Sequence, residues 1–540
     1  MTHEEAGRAG ARLSAANRAP GAQGVGHETQ HCLHRHAALW ARCPAGRRPR
    51  RRRTPHMVPV LATLAALGLL VGCAAGPDFQ RPPAPKVAAY TATPLPAQTA
   101  SAATDLGGTQ SLGVGAPVPA QWWRSLGSRR LDDWIEQAFA ASPTLAAAEA
   151  TLRQADETYA AQAGSTLYPQ VSGNLGAQRQ RLNPSVQGQA GDAREFNLYS
   201  ASVGVRYRLD LSGGNRRALE ALAARTDHRR QQLEGARLTL AGSIAATAIG
   251  RARLAGQIAA TEALLGVQQE QLGLTRERVR LGQAAPDELL ALQAQIEQTR
   301  AGVPLLRKQL DQSEHGLAVL AGQAPGVTPV PDFTLAEFSL PAVMPVVLPS
   351  ELARRRPDIQ AAEALLHAAN AEHGVAVAKL YPQIELSASL GSQALTAGAL
   401  FGGASAAWAL LGQLTQPLFN PGLPAERRAS LAALDAAGAN YQGVVLGALR
   451  EVADALRALD HDAQALAAQA AADGAAREAL RSVERQYALG AAGYVQVLLA
   501  RQQAQQSQVG LVAAQAQRLA DSIALYQASA GTPNAGAPGA

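Results

Sequence analysis

The chain has 540 residues, and its 49 Lys and Arg against 42 Asp and Glu give a formal net charge of +7. The excess is confined to the start: residues 1–72 hold 11 Arg and three Glu, which leaves 38 basic against 39 acidic residues in the body. A near-neutral body gives no support to nucleic-acid binding.

The first 72 residues read as an N-terminal extension and export signal. The cluster Arg47, Arg48, Arg50, Arg51, Arg52 and Arg53 precedes an apolar run over residues 57–71. That run is too short to span a bilayer and has signal-peptide form. It closes on Leu70-Val71-Gly72-Cys73, which resembles a bacterial lipobox and makes Cys73 the expected lipidation site and new N-terminus. Cys32 and Cys43 fall before the cut, so no intramolecular disulfide is expected in the exported chain. Ala74 follows Cys73, where an Asp would resemble an inner-membrane retention signal, so the outer membrane is favoured.

Residues 73–121 are rich in Pro, Ala, Thr and Gly and predict an extended tether behind the lipidated cysteine. Trp122-Trp123 opens a helical region continued by Leu131, Trp134, Ile135, Ala138 and Phe139. Paired Trp residues suit a sugar-stacking site, but anchoring of the tether onto a helical body is the favoured reading. A helix from Pro143 then runs to Tyr168-Pro169-Gln170. In residues 198–211, Tyr199, Ala201, Val203, Val205, Tyr207, Leu209 and Leu211 alternate with polar residues that include Arg206, Arg208 and Asp210. Successive strand side chains face opposite ways, so one face is apolar and Arg206, Arg208 and Asp210 share the other, the face a water-filled lumen would take. Residues from Val171 repeat the pattern more weakly.

Residues 214–282 contain no Pro and are dominated by helix formers; 69 residues make a helix of about 100 Å, which needs partners along its full length. Leu281-Gly282-Gln283-Ala284-Ala285 ends it in a turn, and an apolar, Gln-rich helix follows to Leu320. The chain then begins again. Pro143, Glu149, Ala150, Leu152, Leu167, Tyr168, Pro169 and Gln170 find Pro357, Glu363, Ala364, Leu366, Leu380, Tyr381, Pro382 and Gln383, an offset of about 213 residues. A second strand pair is predicted from Ile384 and over residues 408–418, a second long helix over residues 425–490, and a second turn at Leu489-Gly490-Ala491-Ala492-Gly493. The parts are thus a first repeat over 122–322, a link over 323–348, a second repeat over 349–531 and a disordered tail over 532–540. The expected fold class is mainly α with a small β-barrel portion, a tandem-duplicated protomer with long coiled-coil helices and four transmembrane strands. Four strands cannot close a barrel, and an open sheet leaves unsatisfied edges in lipid. The chain is therefore expected to oligomerise; two copies supply eight strands and three supply twelve.

Arg354-Arg355-Arg356 read as the approach to a helix starting at Pro357, with Asp358 in its first turn, in preference to an anion site. Five scattered His follow Cys73 without metal-site spacing. No phosphate-cradling Gly loop and no nucleophile elbow is found. No enzyme activity, metal or cofactor is expected, apart from covalent lipid (palmitate) on Cys73.

Taken in order, Gly72-Cys73-Ala74-Ala75-Gly76-Pro77-Asp78-Phe79 with Pro82, Trp122-Trp123, the double Tyr-Pro-Gln, Leu348-Pro349-Ser350 with Arg355-Arg356-Pro357-Asp358-Ile359, and Pro417-Leu418-Phe419-Asn420 resemble the outer-membrane factor family. These are TolC-like channels, and within them the NodT-type lipoproteins of multidrug efflux systems. The resemblance covers about residues 70–531 and implies a homotrimer. In it, four strands per protomer form a twelve-stranded outer-membrane barrel above a periplasmic α-helical tunnel. It further implies a periplasmic adaptor and an inner-membrane transporter of the resistance-nodulation-division type as partners, and passive conduction of small molecules to the exterior. Gly282, Asp287, Gly490 and Tyr494 become the candidate tip residues for adaptor docking; an acidic ring is supported only by Asp287 and Glu288 at the first turn, and Asp287 equally suits a helix N-cap. The duct of a type I protein exporter is the alternative within the class. A non-pore periplasmic coiled-coil lipoprotein is the alternative outside it, and the alternating strands speak against that.

Overall fold

A computed structural model describes residues 74–184, 188 and 190–531; the expected leader, Cys73 and the expected tail lie outside these. The elements in chain order are β1 (Ser111–Val114), a 3-10 turn (Trp122–Leu126), α1 (Arg129–Ala141), α2 (Pro143–Leu167), β2 (Gln170–Leu182), β3 (Arg194–Leu209), α3 (Gly214–Arg280) and α4 (Pro286–Leu320). They continue with β4 (Val343–Val346), α5 (Pro349–Arg355), α6 (Pro357–Ala378), β5 (Gln383–Ala394), β6 (Ala406–Thr415), α7 (Gly422–Ala488) and α8 (Tyr494–Ser529).

The duplication is visible element by element. α2 and α6 each open on a Pro behind an extended residue, the position where a missing N–H costs nothing. Each then gives way to a strand at a Tyr-Pro pair, because a residue before Pro is pushed out of the helical region. α3 and α7 have 67 residues each. α4 and α8 have 35 and 36.

Pairs of short helices stack end to end against the long ones. Glu149 of α2 binds Arg237 of α3 at 3.2 Å, and Glu314 at the far end of α4 binds Arg251 one region further along at 2.9 Å. On the other side of α3, Glu372 of α6 meets Arg225, and Gln527 of α8 presses on Gly242. α6 and α8 also pack on α7. The apolar core sits at the junction of the stacks, where Ile244 and Ala248 of α3 and Val452 and Leu456 of α7 are buried. Arg356, itself buried, locks that junction through Asp358, Glu451 at 2.7 Å and the Ala528 carbonyl. Arg356 is thus tied into the start of α6, as its sequence suggested, while Arg354 and Arg355 close α5.

Residues 74–121 are docked along their length, contrary to the expected tether. Tyr90 donates to the Val347 carbonyl at 2.6 Å, and Arg457 reaches Thr93 at 2.6 Å. β1 pairs in parallel with β4, so the expected 323–348 link is also part of the body, with Phe333 and Met344 fully buried. Trp122 stacks on Tyr526 of α8 at 5.4 Å, which matches the anchoring reading of the Trp pair.

The remaining strands form one antiparallel sheet in the order β2-β3-β5-β6. Its central seam, β3 against β5, joins the two repeats. Among the described residues, β2 and β6 are paired on one side only.

Candidate functional site

The sheet has two chemically distinct faces. Register places Val171 opposite Val205, Val203 opposite Leu390, Ile384 opposite Leu414 and Leu390 opposite Trp408, so one apolar face crosses all four strands. It is bare to solvent: Leu175 is 85% exposed and Trp408 79%. From Tyr199 to Leu209 this band runs about 33 Å along the strand, or about 25 Å in height at the tilt usual for a barrel strand. Among the described residues no helix is long and apolar enough to cross a membrane.

Arg206 and Arg208 lie on the opposite face. Arg206 Nε is 2.9 Å from Glu385 Oε1 and Arg208 Nη2 is 3.9 Å from Glu385 Oε2, beside Ser387 and Ser389 in the same register. Asp210 does not join them. β3 ends at Leu209, and the Asp210 carboxylate turns back to accept from the backbone N–H groups of Asn215 and Arg216 at 3.0 and 2.9 Å. It satisfies orphan donors at the head of α3; the run of alternation to Leu211 predicted two strand positions too many. β6 likewise stops at Thr415, short of the expected 418.

At the helix end of the sheet, residues 74–81 occupy a built socket. Ala75 N–H donates to the Ser212 carbonyl at 2.8 Å. Arg217, only 5% exposed, donates to the carbonyls of Ala75 and Gly76, to Asp78 Oδ1 and to Glu220 Oε2. Asn370 holds the Pro77 carbonyl at 3.0 Å, and the Phe79 ring stacks on His367 at 4.3 Å. Gly76 has φ +84, and a Cβ there would meet the Gly374 Cα at 2.7 Å. Burial pulls the Glu220 carboxyl up, but hydrogen bonds from Arg217 and His367 and their charges outweigh it and hold it below the usual range. Sequence reasoning missed this socket; the Gly-Pro-Asp-Phe run was its only signal.

At the far end of the long helices the two turns are built alike. Gly282 N–H donates to the Val279 carbonyl and Gln283 N–H to Arg278; Gly490 and Ala491 do the same to Tyr487 and Gln486. This is a Schellman close, and it needs the left-handed φ of +73 at Gly282 and +74 at Gly490 that glycine adopts freely. Both glycines are exposed at the tip. Asp287 is exposed in the first turn of α4, but the N-cap is Ala285 with Pro286 behind it, so Asp287 is not the cap.

Tyr494 is not a surface residue at all. It is 3% exposed in a cluster with Leu292, Ile296 and Val497, and burial pushes its phenol up. A polar link between the two hairpins runs through Tyr487, whose hydroxyl receives Arg278 Nη1 at 2.5 Å and donates to Glu288 Oε2 at 3.3 Å.

A carboxyl pair, buried Asp521 of α8 and half-buried Asp462 of α7, lies between those two helices. Burial, with the charge of Asp462 adding to it, pushes Asp521 up to about 7 against the pull of Gln517 and Arg518.

Comparison with known proteins agrees with this geometry. The family profile described as "Outer membrane efflux protein" matches residues 134–323 and 348–531, the two repeats. The pyoverdine export outer membrane protein OpmQ of Pseudomonas putida is 32% identical over 77% of this chain and 89% of its own. The probable efflux pump outer membrane protein TtgC of the same species is 29% identical over 88% and 96%. Among solved structures, the outer-membrane channel OprN superposes with a TM-score of 0.76 at 26% identity, covering 85% of this chain and 99% of that one. VceC of Vibrio cholerae gives 0.70 at 26% identity over 77% and 99%.

Proposed function

The chain belongs to the outer membrane efflux protein family, and on that premise we propose that it is the outer-membrane exit duct of an efflux pump, a pore and not an enzyme. The observation that carries this reading is the sheet. It has one continuous bare apolar face, one polar face and two edges without a partner among the described residues, and it is continuous with two 67-residue helices.

Closure follows from the internal symmetry. α6 is wedged between α3 of the first repeat and α7 of its own, with ten buried residues including Ile359, Ala368 and Ala376. Its twin α2 packs chiefly on α3 and buries only Leu145. The bare side of α2 suits α7 of a second copy, just as edge β6 suits edge β2. Eight strands give a barrel filled by its own side chains, so passage calls for at least a third copy and twelve strands. Three protomers then place Arg206, Arg208 and Glu385 on a water-filled lumen.

In this reading Cys73 carries the lipid, and the socket around Arg217 holds the following residues at the sheet–helix junction. Gly282, Gly490 and Asp287 form the tips offered to a periplasmic adaptor, with an inner-membrane transporter beyond it supplying the energy. The link from Arg278 through Tyr487 to Glu288 keeps the tips together until the adaptor engages. Cargo is small molecules, as the pyoverdine export in the name of the relative OpmQ suggests.

The test is migration of the membrane-extracted protein with and without heating, together with oligomer mass in detergent. A heat-sensitive species of three mature chains is expected. A water-soluble monomer or dimer after Cys73→Ser, all helical by circular dichroism, would refute the channel and leave a lipid-anchored helical spacer.

A further inference from the structure

Beyond the apolar band, at the end of the sheet away from the helices, the outward face changes character. Odd-numbered residues of β2 and β3 form that face as far as Ala177 opposite Tyr199; the next two rows are Arg179 opposite Asn197 and Arg181 opposite Glu195. By the strand alternation these two arginines point the same way as Leu175 and Val203, not toward Arg206 and Arg208. Their side chains are 75% and 69% exposed. One carboxylate serves both: Glu195 lies 3.1 Å from Arg179 and 3.9 Å from Arg181. Asp192 in the β2–β3 connection and Arg194, the first residue of β3, add one charge of each sign, and residues 395–405 at the same end carry none.

The height of this pair is informative. Arg179 stands about 7 Å along the strand beyond the last apolar row, or about 5 Å in height, and Arg181 about twice that. A bilayer's polar layer occupies about 5–7 Å on each side of its hydrocarbon core. Arg179 therefore stands at the height of the headgroups on that side, and Arg181, one row beyond, lies within reach of them for a long snorkelling side chain; of their two positive charges Glu195 offsets one. Guanidinium matches phosphate bidentately.

We propose that Arg179 and Arg181 form a binding site for the phosphate of an anionic lipid headgroup in the outer leaflet, one site per protomer, tempered by Glu195. The proposal rests on the exit-duct reading, which assigns the apolar face to lipid and the helix end to the periplasm.

The experiment titrates the intact detergent-solubilised oligomer with diphosphorylated lipid A and counts bound lipid by native mass spectrometry. Its comparison probes are dephosphorylated lipid A and inorganic phosphate. The double variant Arg179→Gln/Arg181→Gln is expected to bind lipid A about tenfold more weakly. The double variant Arg206→Gln/Arg208→Gln removes equal charge from the other face and should bind as the unaltered protein does. Glu195→Gln should bind more tightly. Equal affinity in the Arg179/Arg181 variant, or equal retention of dephosphorylated lipid A, overturns the proposal. Displacement of lipid A by inorganic phosphate at matching concentration would make the pair a free-anion site and also overturns it. Every variant is first checked for heat-modifiable migration. If the unaltered protein lacks it, the exit-duct reading fails on its own, before any lipid result.

Discussion

Replacing Arg217 by Ala should release the N-terminal segment without unfolding the body. The Asp78 partner is 91% exposed, so that ion pair contributes no more than about 1 kcal/mol. The bonds to the Ala75 and Gly76 carbonyls, at 3.2 and 3.4 Å, add about 1 kcal/mol each. The backbone bond from Ala75 to Ser212, the Asn370 contact and the Phe79–His367 stack remain. A loss of about 2–3 kcal/mol raises the open fraction of the segment roughly 30- to 140-fold. Hydrogen exchange at the Ala75 amide reads that fraction directly, because its acceptor, the Ser212 carbonyl, lies in the socket. Arg217→Lys keeps the charge but lacks the fork, and should recover only part of the protection. Arg124→Ala, which removes a pair half-exposed on both sides, should change nothing. Acid should mimic the variant: the folded Glu220 lies below its ordinary 4.5, so its contribution is intact above that pH and is lost as pH falls through the lower folded value. A change at Ala75 of less than about threefold in Arg217→Ala would refute the socket as the force holding this segment.

Tyr487→Phe removes the hydroxyl that joins Arg278 to Glu288 and should raise single-channel conductance in planar bilayers while leaving the oligomer heat-modifiable; unchanged conductance would mean the tip is held elsewhere. Asp521→Asn removes a carboxyl whose folded value lies above its ordinary 3.8, near 7. Folded protein holds that proton longer than unfolded protein, so native stability should fall as pH rises from about 4 toward 7, and the Asn variant should flatten that stretch of a denaturation-against-pH series. Gly391→Ala would set a Cβ 2.2 Å from the Ala201 carbonyl at the seam between the repeats, an overpacking worth about 1–3 kcal/mol. It should lower the temperature at which the oligomer dissociates on a gel, whereas Gly173→Ala, with open space around it, should not.

Much of the molecule is legible in the sequence because its periods are long and local. Helices of 67 residues with no Pro beyond the first turn, strands alternating for ten residues and glycine turns closing each hairpin are all written in neighbouring positions. What is not local was missed. Residues 74–121 lack periodicity, and the groups that pin them (Arg217, Asn370, Arg457) are more than a hundred residues away. Tyr494 looked like a tip residue because it adjoins a turn, yet Val497 and Leu498 at the next helical steps mark the same apolar face, and its partners Leu292 and Ile296 belong to the other repeat. Asp210 continued an alternation that the start of α3 had already ended.

The equality of α3 and α7 has a consequence for how this molecule can change. Their first residues, Gly214 and Gly422, and their closing turns, Gly282 and Gly490, keep the same spacing. The two tips therefore reach the same depth. One residue inserted into either helix would lower its tip by about 1.5 Å and turn all that follows by about 100°, so that Tyr487 and Arg278 would no longer meet. Length is thus a shared property of the pair: a longer or shorter duct can arise only by altering both helices together, in steps near a whole number of turns such as roughly 7 or 11 residues. Descendants of this fold should differ in reach by discrete increments rather than continuously.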